Sequence, residues 1–299
     1  MARRRKGLKV DGWIVVDKPL GLTSTQVIGK VRRATQAAKL GHGGTLDPLA
    51  TGILPIALGE ATKTIAWCQD ATKTYRFSIA WGVATTTDDA EGEVLQESPV
   101  RPETAAIEAI FPRFLGEIDQ IPPIFSALKV NGERAYDLAR KGEFPELAAR
   151  RVRIDSLTLR GTPEAGQAAF EVVCGKGTYV RSLARDIARA LGTVGHVSAL
   201  RRTRVGPFTE ATAISVENLQ DLGHGPAPSG ILLPVESALD DIPALALTQA
   251  AAARLRQGQP VDVPEDRSGT LRARCDDRLV ALVDADLGQA RPLRVFNLD

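Results

Sequence analysis

The chain of 299 residues contains the segment GHGGTLDPLATGILPIALG at positions 41–59, around which its architecture is organised. The second half of this segment, ILPIAL at 53–58, is an apolar run bounded by glycines and predicts a buried strand. The first half is a glycine-dense turn, and Pro48 biases the preceding Asp47 toward an extended conformation. The segment therefore predicts a core strand entered through a shaped loop that carries one carboxylate.

Asp47 has two interpretations. An Asp-Pro pair in a soluble protein most often does no more than open a turn. A plain turn does not need the glycine, histidine and hydroxyl residues gathered around this acid, which are Gly41, His42, Gly43, Gly44, Thr45 and Thr51. This context favours a reactive carboxylate, because an ionised carboxylate can form a transient covalent bond as a nucleophile.

Strands and helices interleave along the chain without a regular βαβ repeat. Residues 13–19 and 73–81 predict strands, whereas residues 180–192 repeat apolar side chains at helical spacing. That spacing leaves Arg181, Arg185 and Arg189 on a different stripe of the helix from its apolar residues. The order of elements favours an α+β fold built on a large mixed, mostly antiparallel sheet.

The chain is expected to divide into a basic N-terminal tail (1–11), a large domain (12–240) and a small β-rich C-terminal module (241–299). The first part is dominated by arginines and lysine, and LGHGPAPSG at 222–230 is the best linker candidate. From about residue 245 an alanine-rich helix precedes several short strands. These features predict two unequal folded units.

Bulk composition indicates an ordinary globular protein, with 43% hydrophobic and 25% charged residues. Cys68, Cys174 and Cys275 are odd in number and far apart, which argues against a disulfide framework and agrees with a reducing cytoplasm. No apolar stretch approaches the length of a membrane span or of a signal-peptide core. We therefore expect a cytoplasmic protein without a membrane partner.

Cofactor motifs are missing from the sequence. A phosphate-binding loop at Gly29 and Lys30 is excluded, because Ser24 stands where the first glycine is needed and Val31 replaces the required hydroxyl residue. The three histidines lack the spacing of metal ligands. We expect neither a nucleotide cofactor nor a metal.

The net charge is only +2, but the charges occur in blocks. Residues 1–87 hold 13 Lys and Arg against 5 Asp and Glu, and residues 129–214 hold 15 against 9. The intervening residues 88–128 hold 2 against 9, and residues 215–299 hold 8 against 13. If the two basic blocks fold side by side, they form the positive face that a phosphate backbone requires, although a mixed solvated surface is the alternative.

Several segments together resemble one enzyme family. GHGGTLDPLATGILPIALGEATK at 41–63 is similar to the catalytic motif of the TruB family, the bacterial tRNA pseudouridine-55 synthases, and GKGTYVRSLARDIA at 175–188 resembles its second motif. DKPLGLTS, KTYRF and ALRRTRVGPF resemble further family motifs, so that the resemblance extends from Gly12 to Phe208. It departs at Gly43, where threonine is expected in many members. The resemblance implies a pseudouridine synthase-like domain followed by a PUA-like module.

The resemblance also implies catalytic roles. Asp47 matches the catalytic aspartate, Arg181 the arginine that pairs with it, and Tyr75 the tyrosine that stacks on the target base and moves a proton. The residues alone favour a phosphate-binding or surface arginine at position 181, and they suit Tyr75 equally well to a core aromatic. Whether Asp47 attacks C1′ of the ribose or C6 of the base stays open, and the family resemblance favours the sugar.

Substrate contacts are implied in the same way. Tyr179 and Leu200 match positions that line the uridine pocket, although either side chain also suits a core. His42 is similar to a histidine placed near the flipped nucleotides, and it is otherwise an ordinary loop histidine. Lys18 and Arg202 belong to basic clusters for which phosphate contact is the natural role.

These predictions describe an enzyme that isomerises uridine to pseudouridine at position 55 of the tRNA T loop. The reaction proceeds by base flipping and transient covalent catalysis and needs no cofactor. The enzyme is expected to be a monomer that binds the T-arm stem-loop of tRNA. Two alternatives remain: a non-catalytic tRNA-binding or tRNA-folding protein, and a pseudouridine synthase for another RNA.

Overall fold

The computed structural model describes residues 7–126, 128–130, 132–134, 138–139, 141–143, 145–162, 164, 166–221 and 230–298. Its strands are β1 (Gly12–Lys18), β2 (Leu40–His42), β3 (Ala50–Leu58), β4 (Lys73–Trp81), β5 (Val83–Thr85), β6 (Val94–Glu97), β7 (Gly116–Gln120), β8 (Lys129–Val130), β9 (Glu133–Arg134), β10 (Arg150–Gly161), β11 (Gln167–Cys174), β12 (Gly195–Val205), β13 (Phe208–Thr209), β14 (Ile214–Ser215), β15 (Ala244–Ala246), β16 (Val261–Asp262), β17 (Gly269–Cys275), β18 (Arg278–Asp286) and β19 (Gln289–Val295). Its α-helices are α1 (Ser24–Thr35), α2 (Ile65–Asp70), α3 (Thr104–Ala109), α4 (Val180–Ala190), α5 (Val216–Asp221) and α6 (Gln249–Arg256). Short 3₁₀ helices lie at Gly59–Thr64, Phe111–Phe114, Glu210–Thr212 and Val235–Leu239.

The large sheet has ten strands, eight of them in the order β14-β1-β3-β12-β4-β11-β10-β7, with β2 beside β3 and β13 beside β12. β1 pairs with β14 and β3 with β12 in parallel, whereas the other pairings along this sheet are antiparallel. The prediction of an α+β fold on a large mixed, mostly antiparallel sheet is therefore confirmed.

The predicted core strand is β3, and the sheet forks beside it. One edge of β3 pairs with β1, whereas the other edge pairs with β12 at residues 50–52 and with β2 at residues 56–58. Pro55 lies between these two partners, where its missing N–H costs no ladder bond, and its carbonyl accepts from the Gly43 N–H at 2.8 Å. Asp47 belongs to the loop that passes through this fork.

Helices α1 and α4 cover the sheet. α1 begins with a capping box in which the Gln26 N–H donates to Thr23 Oγ1 at 3.1 Å and the Thr23 N–H donates to Gln26 Oε1 at 2.8 Å. α4 packs against β4 and β12, and its buried Leu183 and Ile187 join the core formed by the apolar face of β4. Both helices are therefore fixed by their buried faces.

A second sheet, in the order β15-β17-β18-β19-β16, forms the β-rich C-terminal module. Its Leu282 and Phe296 join a buried cluster with Trp13 of β1, and Lys63 Nζ donates to the Val295 carbonyl at 2.8 Å. The expected boundary at residue 240 falls between the 3₁₀ helix Val235–Leu239 and β15. Apart from its last residue, the linker candidate 222–230 lies outside the described residues, as do residues 1–6 of the basic tail. No helix in the described ranges is long and apolar enough to cross a membrane.

Candidate active site

The loop that carries Asp47 is anchored to α1 and β1 through its main chain. Ser24, freed from capping by Thr23, donates from Oγ to the Leu46 carbonyl at 3.0 Å and accepts from the Leu46 N–H at 2.9 Å. Lys18 Nζ donates to the carbonyl of Pro48 at 3.2 Å and to the carbonyls of Pro19 and Leu22. These bonds hold the residues on both sides of Asp47.

Arg202 of β12 holds the same loop from the other side. Its guanidinium donates to the carbonyl of Ile53 at 2.8 Å, of Gly44 at 3.1 Å and of Thr45 at 3.3 Å. Arg202 is only 1% exposed, and Lys18 is 0% exposed. Both charged groups donate to main-chain carbonyls, and the sequence-based expectation that these two residues contact phosphate stays a prediction.

Two glycines permit this close packing. Gly52 has φ +101°, and a Cβ at this position would stand 2.1 Å from the Arg202 carbonyl oxygen. A Cβ on Gly43 would stand 2.4 Å from Cys68 Sγ. The buried Cys68 therefore explains why this chain has glycine at the position where its motif departs from the family pattern.

Arg181 lies beside Asp47, as the sequence predicted, with Nη2 2.8 Å from Asp47 Oδ2. The arginine side chain is 6% exposed, whereas the aspartate side chain is 41% exposed and available to a ligand. The guanidinium also donates to the carbonyls of Thr87 and Phe125, both at 2.9 Å, and its Nε lies 3.6 Å from Asp89 Oδ2. Arg181 is therefore a fully engaged counter-ion of Asp47.

Asp89 is a site residue that the sequence analysis missed. It is 3% exposed and lies in the acidic block 88–128, in the turn between β5 and β6. Its carboxylate accepts from the Thr87 hydroxyl and from the Glu91 N–H. The only local signal is the Asp-Asp pair in TTDDAEG, and nothing in that string predicts that its second carboxylate is buried beside Arg181.

Tyr75 of β4 is half-buried and packs against the cores on either side of the fork. Burial raises the pKa of the Tyr75 hydroxyl, and the charge of Arg202 opposes that shift. The hydroxyl is therefore protonated at neutral pH. Arg202 holds the loop of Asp47 and lines the same cleft as Tyr75.

A cleft of about 600 Å³ opens beside these residues. It is lined by the loop residues 43–47, by Tyr75, Leu200, Arg202, Tyr179 and Arg181, and by residues of β10 and of the Gly-Lys-Gly turn. The structure thus brings Asp47, Arg181, Tyr75, Tyr179 and Leu200 together. Lys73, Arg150, Arg151 and Lys176 line the same cleft and give it a basic character.

His42 ends β2 directly before the loop, and it is not among the cleft-lining residues in the described part of the chain. Its Nδ1 accepts from the Gly44 N–H at 3.3 Å. Burial, and secondarily the charge of Arg202, lower the pKa of His42 and favour the neutral ring. The sequence-based expectation of contact with flipped nucleotides stays a prediction.

The arrangement suits one type of chemistry. A half-exposed carboxylate beside a fixed guanidinium can act as a nucleophile. The aromatic surface and the apolar pocket can hold a base, and the basic rim attracts a phosphate backbone. Within the described ranges no group of three His, Cys, Asp or Glu residues is arranged to hold a metal ion.

Solved structures share this fold. A chain in the structure of an H/ACA RNP bound to a substrate RNA containing 2′-deoxyuridine matches with a TM-score of 0.74, 24% identity, and coverage of 100% of this chain and 92% of that chain. A chain of a Cbf5-Nop10-Gar1 complex matches with a TM-score of 0.69 and 28% identity over 96% of this chain and 84% of its own length. These matches define the fold of this chain.

The family follows from sequence comparison. The family model of the TruB family pseudouridylate synthase N-terminal domain matches residues 32–180, and that of the tRNA pseudouridylate synthase B C-terminal domain matches residues 181–240. Proteins named tRNA pseudouridine synthase B from Caulobacter vibrioides and Rhodospirillum rubrum are 55% and 53% identical over 100% of both chains. The chain belongs to the TruB family of pseudouridine synthases.

Proposed function

We propose that this chain converts uridine 55 in the T loop of tRNA to pseudouridine, with Asp47 as the nucleophile. The observation that carries the proposal is the Arg181–Asp47 ion pair of 2.8 Å on the wall of a basic cleft. The relatives from Caulobacter vibrioides and Rhodospirillum rubrum carry names that specify tRNA, which supports the same class of substrate for this chain. The T loop is the position that the resemblance in sequence implies.

The reaction breaks the bond between uracil N1 and ribose C1′, turns the base, and forms a new bond from C1′ to C5. The C5 proton is lost and N1 gains one, so substrate and product are isomers and no redox agent or energy donor is consumed. Asp47 forms the transient covalent bond, either at C1′ or at C6, and is released when the isomer forms. Arg181 supplies the counter-charge that an ionised Asp47 needs once RNA covers the cleft.

A uridine must leave its stack before Asp47 can reach it. Tyr75 is the proposed stacking surface, and its protonated hydroxyl is positioned to take part in proton movement. Tyr179 and Leu200 form the walls of the uridine pocket, and neutral His42 fills space left by displaced bases. Phosphates lie along the basic rim, where the side chains of Arg150 and Lys176 are exposed.

The organisation of the chain supports separate roles for its two domains. We place the catalytic domain at residues 12–240 and assign residues 241–299 to a PUA-like module that extends the RNA contact. The working state is proposed to be a monomer, because Asp47, Arg181 and Tyr75 line one cleft within a single chain. Light scattering of the free and RNA-bound protein measures this state directly, and a dimer in both states contradicts it.

The decisive experiment compares Asp47→Asn with the wild-type enzyme on an unmodified T-arm stem-loop. We expect no pseudouridine from the variant in a single-turnover assay, whereas its affinity for the stem-loop stays within about threefold because the phosphate contacts remain. Asp70→Asn is the matched control, since Asp70 lines the same cleft but pairs with Lys176 at 2.8 Å. Turnover by Asp47→Asn at the control rate rejects the covalent role.

Assays of the wild-type protein on different RNAs distinguish two rival functions. A non-catalytic tRNA-binding or tRNA-folding protein predicts stem-loop binding without any pseudouridine, even from the wild-type chain. A synthase for another RNA predicts modification of ribosomal RNA fragments in preference to tRNA. Mapping the modified positions on unmodified tRNA and on ribosomal RNA fragments distinguishes these outcomes and tests position 55.

A further inference from the structure

Helix α4 carries a second arginine–aspartate pair next to the one that holds Asp47. Arg185 follows Arg181 by one helical turn, and its Nη1 lies 2.9 Å from Asp88 Oδ2. The two side chains are 15% and 16% exposed, so this is not a solvated surface pair. Arg185 Nε also lies 3.0 Å from Asp186 Oδ1 within the helix.

The turn at residues 86–91 directs two consecutive carboxylates to successive arginines of α4. Asp88 adopts φ 59°, a left-handed conformation that is uncommon for a non-glycine residue. In this conformation Asp88 reaches Arg185 while Asp89 faces Arg181. The same turn provides the Thr87 carbonyl that accepts from Arg181 Nη1 at 2.9 Å. Arg185 therefore tethers the turn that surrounds the guanidinium of Arg181.

A third segment, residues 120–126, is fastened along the same helix. The Ile121 carbonyl accepts from Arg185 Nη2 and from Ser182 Oγ, both at 2.8 Å. Four residues further along, the Phe125 carbonyl accepts from Arg181 Nη2 at 2.9 Å. Two segments contact Arg181 in addition to the loop of Asp47, namely the turn 86–91 and residues 120–126. Arg185 binds both of them.

We propose that Arg185 and Asp88 are positioning residues for the isomerisation, which they support by fixing the turn 86–91 and the segment 120–126 around Arg181. The inference rests on the proposed function, because it assigns Arg181 as the counter-ion of Asp47. Arg181 makes its contacts to Thr87, Asp89 and Phe125 through these two segments, so their displacement moves its guanidinium relative to Asp47. Displacements of about 1 Å are enough to slow an enzyme by one to two orders of magnitude.

The test measures single-turnover rate, stem-loop affinity and melting temperature for Arg185→Gln, Asp88→Asn and the double variant. Asparagine tolerates the left-handed conformation of Asp88, so the turn is kept while the charge is removed. Asp186→Asn is the matched control, because it removes the other carboxylate beside Arg185 without touching the turn. Arg185→Lys is the conservative variant, which keeps the charge opposite Asp88.

We expect each single variant to lose about tenfold in single-turnover rate, with affinity and melting temperature close to those of the control. The double variant is expected to lose no more than either single variant, because both act through one contact. Arg185→Lys is expected to recover part of the lost rate.

Three results overturn the proposal: rates equal to that of Asp186→Asn, additive losses in the double variant, or a loss of affinity at unchanged rate. A fall in rate that only follows a fall in melting temperature also overturns it. Asp47→Asn is assayed in parallel. If that variant is inactive while the Arg185 and Asp88 variants are fully active, the proposed function stands and only this inference fails.

Discussion

The two walls of the cleft are held in different ways. The first wall, named the nucleophile wall for the proposed role of Asp47, consists of the loop 43–49 and the start of β3 (50–53) with Lys18 and Arg202. Its anchors are buried cations that bind main-chain carbonyls. The arginine wall consists of Arg181 with the turn 86–91 and the segment 120–126. Its anchors are Arg181 and Arg185 of α4, which bind main-chain carbonyls of both segments and, unlike the cations of the first wall, also pair with carboxylates of the turn. The first wall is part of the core, whereas the second is fastened onto it.

Because of this difference, substitutions in the first wall are expected to lower the stability of the protein, whereas substitutions in the second wall are expected to misalign Arg181. Removing an anchor of the nucleophile wall leaves buried carbonyls without donors, which lowers the free energy of unfolding. Loosening an anchor of the arginine wall moves a counter-ion while the core stays intact. Four changes test the contrast.

The largest effect is expected from Arg202→Met. Methionine fills much of the space but leaves the carbonyls of Gly44, Thr45 and Ile53 without their donor, which costs about 3 kcal/mol or more. Denaturant unfolding measures this loss, and the single-turnover rate is expected to fall with it. A variant as stable as wild type contradicts the assignment of Arg202 to the nucleophile wall.

A somewhat smaller effect is expected from Arg181→Lys, and it concerns the rate. An ammonium group keeps the charge but cannot reach Asp47, Thr87 and Phe125 together, so the single-turnover rate is expected to fall about 100-fold. Rates on the stem-loop and thermal unfolding are measured on the same preparation. A large loss of stability with a normal rate would reverse the contrast between the walls.

A third prediction concerns Tyr75, which lies between the walls. Tyr75→Phe keeps the ring and loses only the hydroxyl, so we expect a rate loss of about tenfold or less if proton movement contributes. Tyr75→Leu also removes the stacking surface and is expected to lose more. Equal rates for the two variants would exclude stacking as the main contribution of this residue.

A fourth prediction concerns a pH dependence of stability at Lys18. Burial lowers the pKa of Lys18 from 10.5 to about 8, although the charge of Asp47 opposes the shift. Between these values the unfolded chain binds more protons than the folded one, so this group makes the free energy of unfolding rise with pH from about 8 to 10.5.

Lys18→Met removes that dependence and serves as the comparison. The wild-type protein is expected to gain stability relative to the variant as the pH rises from 8 to 10, by a few kcal/mol at most, since one pKa unit is worth about 1.4 kcal/mol. Denaturant unfolding across this range provides the measurement. Parallel curves for the two proteins would show that the Lys18 amine titrates normally in the folded state.

Much of the fold was accessible from local pattern. The apolar run at 53–58 became β3, the alternating residues 73–81 became β4, and the helical spacing after Tyr179 became α4. The stripe that grouped Arg181 with Arg185 and Arg189 was less informative. The structure buries Arg181, leaves Arg185 partly buried and exposes Arg189, because turns from elsewhere in the chain cover only the first part of the helix.

The sequence by itself determined the loop of Asp47, the family and the mixed sheet, because these depend on residue types at fixed spacing along the chain. Only the tertiary structure decided which charges line the open cleft and which are bound to buried carbonyls. Lys18 and Arg202 resembled phosphate ligands, yet both are buried and donate to the loop of Asp47. Asp88 and Asp89 carried no signal beyond an Asp-Asp pair in the sequence, yet they hold two arginines of α4. The role of a charged side chain is set by its burial and by partners far away in the chain, which spacing alone does not record.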